Sequence, residues 1–447
     1  MKLIYGVKDK PKFSQSIIFA FQQVLAIMAA TLAVPAIINS NCETNMSQAA
    51  ALFGAGVGTI IYLLFTKSRS PVFLGSSFAF IGSMCSAFAG ASTMALGYMG
   101  LVIGAILAGL VYVILAIFAK TFGTNWLNNL MPPVVIGPTV AIIGLSLAPN
   151  AVADFSNGLN GSIYVAMICG LVTLITTVLV ATYSKKMARL IPFIIGILAG
   201  YFCACIFYLI GDIFNNDALK VINFDSIKNC FSTINFSTFF SVPSFTFLET
   251  NGVFSELNLS YFITILTAYV PVAFVVFAEH IADHKNLSTI IEKNLLKEPG
   301  LHRTLLGDGV GSMFGAFFGG CPNTTYGESI GCVAITGNAS IITIWYAAII
   351  CILISFFSPF IAFLQTIPSC VMGGVCIALY GFIAVSGLKM LQDVDLNKNK
   401  NLFTASIIFI TGVGGIVLKI GAVEIRTVAC ALILGIIINK ILNKKES

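Results

Sequence analysis

Charged side chains are scarce in this sequence. Asp, Glu, Lys and Arg together make up 9% of its 447 residues, whereas soluble domains average about 25%. Hydrophobic residues make up 57% of the chain, and its mean hydropathy is +0.96. A soluble protein with one hydrophobic core needs far more polar surface than this composition provides. The composition therefore excludes an ordinary soluble protein and indicates a chain that lies in a lipid bilayer.

Histidine is rarer still, with three residues in the chain, and the twelve cysteines include no CxxC pair. Cysteines and histidines at fixed ligand spacing are the usual signature of a zinc site. Cysteines scattered through apolar stretches are instead typical of small helix-packing residues. The sequence also contains no HExxH motif and no Ser/His/Asp set. We therefore expect no metal, no cofactor, no disulfide framework and no intramembrane enzyme.

Long apolar stretches are abundant, and they recur from one end of the chain to the other. We count about fourteen, each of roughly the 20 residues that a helix needs to cross the hydrocarbon layer. The first stretch is followed directly by a second one, so we expect no cleavable signal peptide. The fold class that this predicts is an all-α polytopic membrane protein.

The basic residues indicate an orientation for these spans. With a cytoplasmic N-terminus, all of the 24 Lys and Arg residues fall on the cytoplasmic side except Lys220, Lys228, Lys419 and Arg426. Cytoplasmic loops of membrane proteins carry such an excess of basic residues. The net charge of +6 therefore reports orientation and does not indicate a nucleic-acid partner. We expect a multi-pass protein of the inner (plasma) membrane with both termini in the cytoplasm.

A polar stretch divides the chain into two halves. We predict a first repeat at residues 1–214, an extracytoplasmic connecting loop at 215–258 and a second repeat at 259–447. Seven spans in each half is an odd number, so the halves have opposite orientations. This arrangement is an inverted repeat, which is common among transporters.

Each half contains one stretch that is unsuited to a lipid-facing helix. These stretches are PVFLGSSFAF at residues 71–80 and GGCPNTTYGESIG at residues 319–331. Non-helical backbone at membrane depth is tolerated only inside protein or along a cavity. Matched broken segments in two halves indicate a transporter's binding site. The alternative is that both stretches are ordinary extramembrane loops.

Four acidic residues fall within or next to apolar stretches: Glu279, Asp283, Asp308 and Glu328. A carboxylate at membrane depth is costly when charged, so it should be paired, hydrated or protonated. Glu279 lies well inside the bilayer only if its helix is tilted or continues past His284. Otherwise it is a helix-end residue that faces the cytosol, and Asp308 is expected to support local packing or to sit at the inner interface.

The motifs AEHIADH (278–284), EPGLHR (298–303), PNTTYGE (322–328) and LGSSFAF (74–80) together resemble the nucleobase–cation symporter family 2, the nucleobase–ascorbate transporters. The resemblance is closest to the bacterial uracil permease branch and covers essentially the whole chain. It implies fourteen spans in a seven-plus-seven inverted repeat. Segments 1–4 and 8–11 would form a core domain and segments 5–7 and 12–14 a gate domain. The broken segments 3 and 10 would each contain a short strand.

The resemblance also implies a set of substrate-binding residues: Glu279, Glu328, Gly327, Phe78, Ala30 and Tyr326. Proton coupling is expected at Glu279, Asp283 and His284. One position departs from the uracil pattern, because the family's uracil permeases have a histidine where this chain has Asp283. An aspartate at that position is similar to purine and xanthine members, although those usually carry glutamine in place of Glu328.

The function that these observations predict is proton-coupled uptake of uracil. A purine or xanthine symporter of the same family is the alternative, and a channel is a more distant one. The related sulfate and anion carriers would need a cationic or neutral site, which the glutamates disfavour. The expected partners are uracil or a related nucleobase, protons and the lipid bilayer, and a homodimer is left open.

Overall fold

Helices dominate the fold. The computed structural model of the protein describes residues 3–123, 132–159, 161–185, 188, 191–250, 252–392, 394–420, 423–425 and 427–443. Some basic residues used to assign the orientation lie outside this part of the chain: Lys186, Arg189, Arg426 and those within residues 444–447. The first-half elements are α1 (Phe13–Cys42), α2 (Gln48–Phe65), β1 (Leu74–Ser76), α3 (Ile81–Ala89), α4 (Met94–Phe122), α5 (Pro133–Phe155), α6 (Ile163–Tyr183) and α7 (Pro192–Ile213).

The second half follows a polar connection that contains only short helices within its described residues, including α8 (Asp225–Cys230) and α9 (Phe236–Phe239). The remaining elements are α10 (Leu259–Ile290), α11 (Leu301–Gly319), β2 (Asn323–Thr325), α12 (Gly327–Thr336), α13 (Ile341–Ile354), α14 (Ser358–Gln365), α15 (Ser369–Lys389), α16 (Asn399–Val413), β3 (Leu418–Ile420), β4 (Val423–Ile425) and α17 (Thr427–Asn443).

Eight helices in the described residues are long and apolar enough to cross a membrane: α1, α2, α4, α5, α6, α7, α10 and α15. Shorter apolar helices include Phe78–Ala89, Ile341–Ile354 and Cys430–Leu442. The prediction of a largely helical, membrane-type protein is therefore confirmed.

Strands β1 and β2 are distant in sequence and pair with each other. They run antiparallel, with Leu74 opposite Thr325 and Ser76 opposite Asn323. Gly75 lies against the ring of Tyr326, which a Cβ at that position would overlap. A turn of 3-10 helix and then α3 follow β1, and α12 begins two residues after β2. Each of the two stretches that the sequence marks as broken is thus a short strand followed by a helix.

Small residues bring α2 and α11 into close contact beside this strand pair. A Cβ on Gly54 would overlap the carbonyl oxygen of Gly315, and a Cβ on Gly311 would lie 2.7 Å from the carbonyl oxygen of Gly58. The amide of Asn323 donates to the carbonyl oxygen of Gly54 at 3.0 Å. Small residues at helix crossings let backbones approach closely where no hydrophobic effect drives association. This crossing therefore fixes the position of β2.

Helix α10 is long enough to place Glu279 well inside the fold. It begins at the cap residue Asn258, whose side chain accepts from the Tyr261 N–H at 2.8 Å, and it continues to Ile290. At 1.5 Å per residue, Glu279 lies about 30 Å along a helix of about 48 Å. The expectation that this helix continues past His284 is confirmed.

A second strand pair was not predicted from the sequence. Strands β3 and β4 pair antiparallel, with Leu418 opposite Ile425, just before α17. Strand β4 packs against α10.

The α2–α11 crossing generates a first prediction. Gly54→Ala should lower the melting temperature of the detergent-purified protein by a few degrees, because overpacking a tight contact costs about 1–3 kcal/mol. Gly381→Ala on α15 is the matched control, since a Cβ there has no atom within 4 Å. Equal melting temperatures for both variants would show that the crossing tolerates an extra methyl group.

Candidate binding site

A cavity of about 490 Å³ lies beside the strand pair. Its walls come from the residues around the two strand–helix junctions and from helices α5, α10 and α15. The polar and charged residues among its lining are Ser77, Glu279, Asp283, Asn286, Thr324, Thr325, Tyr326, Glu328, Ser386 and Lys389. The site therefore combines elements from both halves of the chain.

Two helix starts face this cavity because β1 and β2 are paired. The 3-10 turn begins at Phe78 and α12 begins at Gly327, and both residues line the cavity. The first N–H groups of a helix have no partner within the helix. A Cβ on Gly327 would meet no atom within 4 Å, so the backbone there is open to a ligand. The strand pair thus directs backbone donors from two segments into one space.

Two buried hydroxyl groups add to these donors. Ser77 is 1% exposed and Thr324 is 3% exposed, and both line the cavity. Among the described residues, neither hydroxyl oxygen has a hydrogen-bond partner. An unpaired buried polar group is costly, and a ligand in the cavity would relieve that cost.

Three carboxyl groups face the same cavity. Glu279 and Asp283 are one turn apart on α10, and Glu328 lies in the first turn of α12. Thr325 donates its hydroxyl hydrogen to Asp283 Oδ2 at 2.8 Å, which ties β2 to α10. The cavity therefore places carboxyl acceptors next to the first-turn backbone N–H groups of α12 and of the 3-10 turn.

The aromatic residues shape the wall of the cavity. Phe78 is half-buried, and its ring meets the ring of Tyr380 edge-on at a centroid distance of 6.1 Å. Tyr326 is buried, and its hydroxyl group donates to the carbonyl oxygen of Ser76 at 2.7 Å. The ring face of Phe78 is therefore available to a ligand, whereas the Tyr326 hydroxyl group already donates its hydrogen to the backbone of β1.

The structure brings six of the eight residues named from the sequence to one cavity: Phe78, Glu279, Asp283, Tyr326, Gly327 and Glu328. Ala30 is buried in α1 and is not among the cavity's lining residues. His284 is also buried and points elsewhere. Its Nε2 lies 2.6 Å from the hydroxyl oxygen of Tyr62, and its ring stacks on that of His280 at 4.0 Å.

A buried polar network lies behind the cavity on α10. The Nδ1 atom of His280 is 2.7 Å from Asp308 Oδ2, and its Nε2 is 3.0 Å from the hydroxyl oxygen of Thr304. Asp308 is thus buried between helices, in keeping with the packing role expected for it. His280 was not singled out from the sequence, although its four-residue spacing from His284 places both on one helix face.

Several polar lining residues were likewise not identified as site residues. Ser77 and Thr324 lie within the quoted motifs, but nothing in the sequence marks them as unpaired. Asn286 continues the α10 stripe that begins at Glu279 and Asp283, since helix positions three and four apart share a face. That spacing could have identified it.

Two further cavities lie on other sides of the site. One of about 200 Å³ shares Phe78, Ala79 and Ile143 with the first cavity and extends toward Asn150 and Thr427. Another of about 690 Å³ lies among the C-terminal part of α1, the end of α5 and the start of α15. The two cavities that share Phe78 and Ile143 thus meet at those side chains.

Known structures share this fold. The chain matches the transmembrane domain of a cyanobacterium bicarbonate transporter, BicA, with a TM-score of 0.60 at 13% identity, over 97% of this chain and 99% of that one. It also matches the murine Solute Carrier 26 family member A9 anion transporter with a TM-score of 0.66 at 12% identity, over 98% of this chain and 69% of that one. At such low identity the likeness concerns the fold alone.

Sequence relatives are closer. The chain is 37% identical to the uracil permease of Bacillus subtilis (strain 168), over 99% of this chain and 95% of the relative. It is 35% identical to the uracil permease of Escherichia coli (strain K12), over 96% and 92%. The Permease family model, Xan_ur_permease, matches residues 14–421. The chain therefore belongs to the Permease family and is a multi-pass membrane protein.

Proposed function

We propose that this protein carries uracil into the cell together with protons, across the inner (plasma) membrane and with both termini in the cytoplasm. The observation that carries the proposal is the cavity between the two helix starts, which combines the backbone at both starts with three carboxyl groups. Relatives named uracil permease support the choice of substrate.

The chemistry of uracil complements this cavity. Uracil is flat and neutral, with two N–H donors and two carbonyl acceptors. The carboxylates of Glu279 and Glu328 would accept from its N–H groups, and the N–H groups at the start of α12 would donate to its carbonyl oxygens. Ser77 and Thr324 add hydroxyl groups that lack partners among the described residues. The face of Phe78 would pack against the ring.

The domain arrangement follows the predicted inverted repeat. We place the first repeat at residues 1–214, the outer loop at 215–258 and the second repeat at 259–447, with fourteen spans. The core domain would contain α1–α4 and α10–α13, and the gate domain α5–α7 and α15–α17. In support, the cavity takes its carboxyl groups from α10 and α12 and its opposite wall from α5 and α15.

Movement between the two domains would expose the site to each side in turn. Phe78 and Ile143 lie where the 490 Å³ and 200 Å³ cavities meet, and they belong to the proposed core and gate domains respectively. These two side chains, one from each proposed domain, would form a barrier between the two cavities. Such a barrier suits a carrier better than a channel, because a channel needs a continuous polar pathway.

Proton coupling is assigned to Glu279, with Asp283 as its neighbour along the helix. Both line the cavity, and charging either of them is costly in a partly desolvated space. Asp283 accepts a hydrogen bond from Thr325, and it occupies the place where uracil permeases of the resembled family have a histidine. His284 fits a relay less well, because it faces Tyr62 on the other side of the helix.

One observation favours a second candidate, a purine or xanthine. Asp283 at the cavity wall is the feature that the chain shares with the purine branch of the resembled family. An anion substrate is disfavoured despite the fold of the anion transporters, because three carboxyl groups line the cavity.

Competition between nucleobases tests the substrate. The measurement is uptake of radiolabelled uracil into proteoliposomes. The concentration of unlabelled uracil that halves this uptake should be about ten-fold or more lower than that of xanthine, because a mismatched buried polar group costs about 1–3 kcal/mol. Xanthine that competes as well as uracil would move the protein to the purine branch.

Paired glutamine substitutions test the division between the two glutamates. Glu279→Gln should abolish accumulation driven by a pH gradient while uracil exchange persists, because an amide cannot release a proton. Glu328→Gln should instead weaken uracil binding by about ten-fold or more, the loss expected for a hydrogen bond to a charged group. Glu292→Gln, which alters an exposed acid beyond α10, is the control. Normal proton-driven accumulation by Glu279→Gln would contradict the assignment.

A further inference from the structure

One basic side chain shares the cavity with the three carboxyl groups. Lys389 is the last residue of α15 and the single Lys or Arg among the cavity's described lining residues. It is exposed, and the ion pairs of the described residues do not include it. From the sequence it counted only toward the orientation of the chain.

Lys389 lies at the exposed end of the cavity wall that α15 forms. On α10, Glu279, Asp283 and Asn286 line the cavity in succession, and Asn286 is exposed. On α15, the lining runs from Leu379 to Lys389, a distance of about 15 Å along the helix. The exposed ends of both stripes mark the side on which the cavity reaches the surface.

Besides Lys389, the charged groups among the cavity's described lining residues are three carboxyl groups. Glu279 and Asp283 face the cavity from α10 and Glu328 faces it from α12. Beyond α15, Asp395 is already paired with Lys398 at 3.9 Å, and Asp393 lies outside the described residues. The buried pair of His280 and Asp308 lies behind α10 and does not line the cavity.

We propose that Lys389 is the counter-charge that promotes proton release on the cytoplasmic side. The inference rests on the proposed function, in which α10 and α12 belong to the core domain and α15 to the gate domain. When uracil leaves, the O–H bond of a cavity carboxyl group breaks, its proton passes to water, and a carboxylate remains. An ammonium group in the same cavity stabilises that carboxylate by Coulomb attraction. Lys389 therefore acts on the carboxyl groups and not on the substrate.

The proposed role of Lys389 should affect two modes of transport differently. Net accumulation requires the carrier to lose its proton inside and return empty. Exchange of external labelled uracil for internal unlabelled uracil lets the carrier return loaded and protonated. Loss of the counter-charge should therefore slow net accumulation and spare exchange.

Proteoliposomes with an imposed pH gradient test the proposal. Lys389→Gln should reduce net accumulation by about two- to five-fold, because Coulomb attraction in a hydrated cavity weakens beyond contact distance, while exchange keeps its wild-type rate. Lys389→Arg should restore net accumulation, and Lys389→Glu should reduce it further than Lys389→Gln. Lys285→Gln, which alters an exposed lysine of α10 outside the cavity lining, should match wild type.

Three results would contradict the proposed role of Lys389. Wild-type net accumulation by Lys389→Gln would overturn the proposal, and so would an equal loss of accumulation and exchange, which a structural or binding role produces. Failure of Lys389→Arg to restore accumulation would also overturn it. Absence of both modes in the wild-type protein would instead overturn the proposed uracil transport, and this inference with it.

Discussion

The antiparallel pairing of β1 with β2 is the interaction on which the site depends. Each strand has three buried residues, and an isolated strand of that length would leave its backbone groups unpaired inside the protein. Because hydrocarbon offers no hydrogen bonds, such groups must be satisfied within the protein. Pairing satisfies them, and the register of Leu74 opposite Thr325 sets where the next helix on each side begins. The Gly54–Asn323 hydrogen bond then ties the pair to the α2–α11 crossing.

The electrostatic character of the site follows from that geometry. An ionised acid at the centre of a membrane helix costs about 2.5–3.5 kcal/mol on insertion scales. Here the acids of α10 and α12 face a cavity beside two helix starts and two hydroxyl groups that lack partners among the described residues. Such a cavity holds the carboxyl groups without committing them to permanent ion pairs. They therefore remain available to a substrate and to protons, and a basic group at the opposite wall can influence them.

Part of this arrangement is predictable from sequence, and the features that the sequence does not show have physical causes. The Gly, Ser and Thr content of residues 71–80 and 319–331 marks both strand–helix junctions, because such residues suit a lipid-facing helix poorly. The direction in which His284 points is harder to predict, since one residue along a helix turns a side chain by about 100°. Asp283 consequently faces the cavity, whereas His284 faces Tyr62. The function of Lys389 is invisible in sequence, because a lysine at a helix end satisfies the orientation rule whether or not a cavity lies beside it.

The most direct measurement of the central claim is an experimental structure of the protein with uracil bound. The account predicts density for the base between the starts of the 3-10 turn at Phe78 and of α12 at Gly327. Its N–H groups should lie within hydrogen-bond distance of Glu279 and Glu328, and its carbonyl oxygens within hydrogen-bond distance of backbone N–H groups. Uracil bound instead in the 690 Å³ cavity at the end of α1, with no contact to either glutamate, would contradict it.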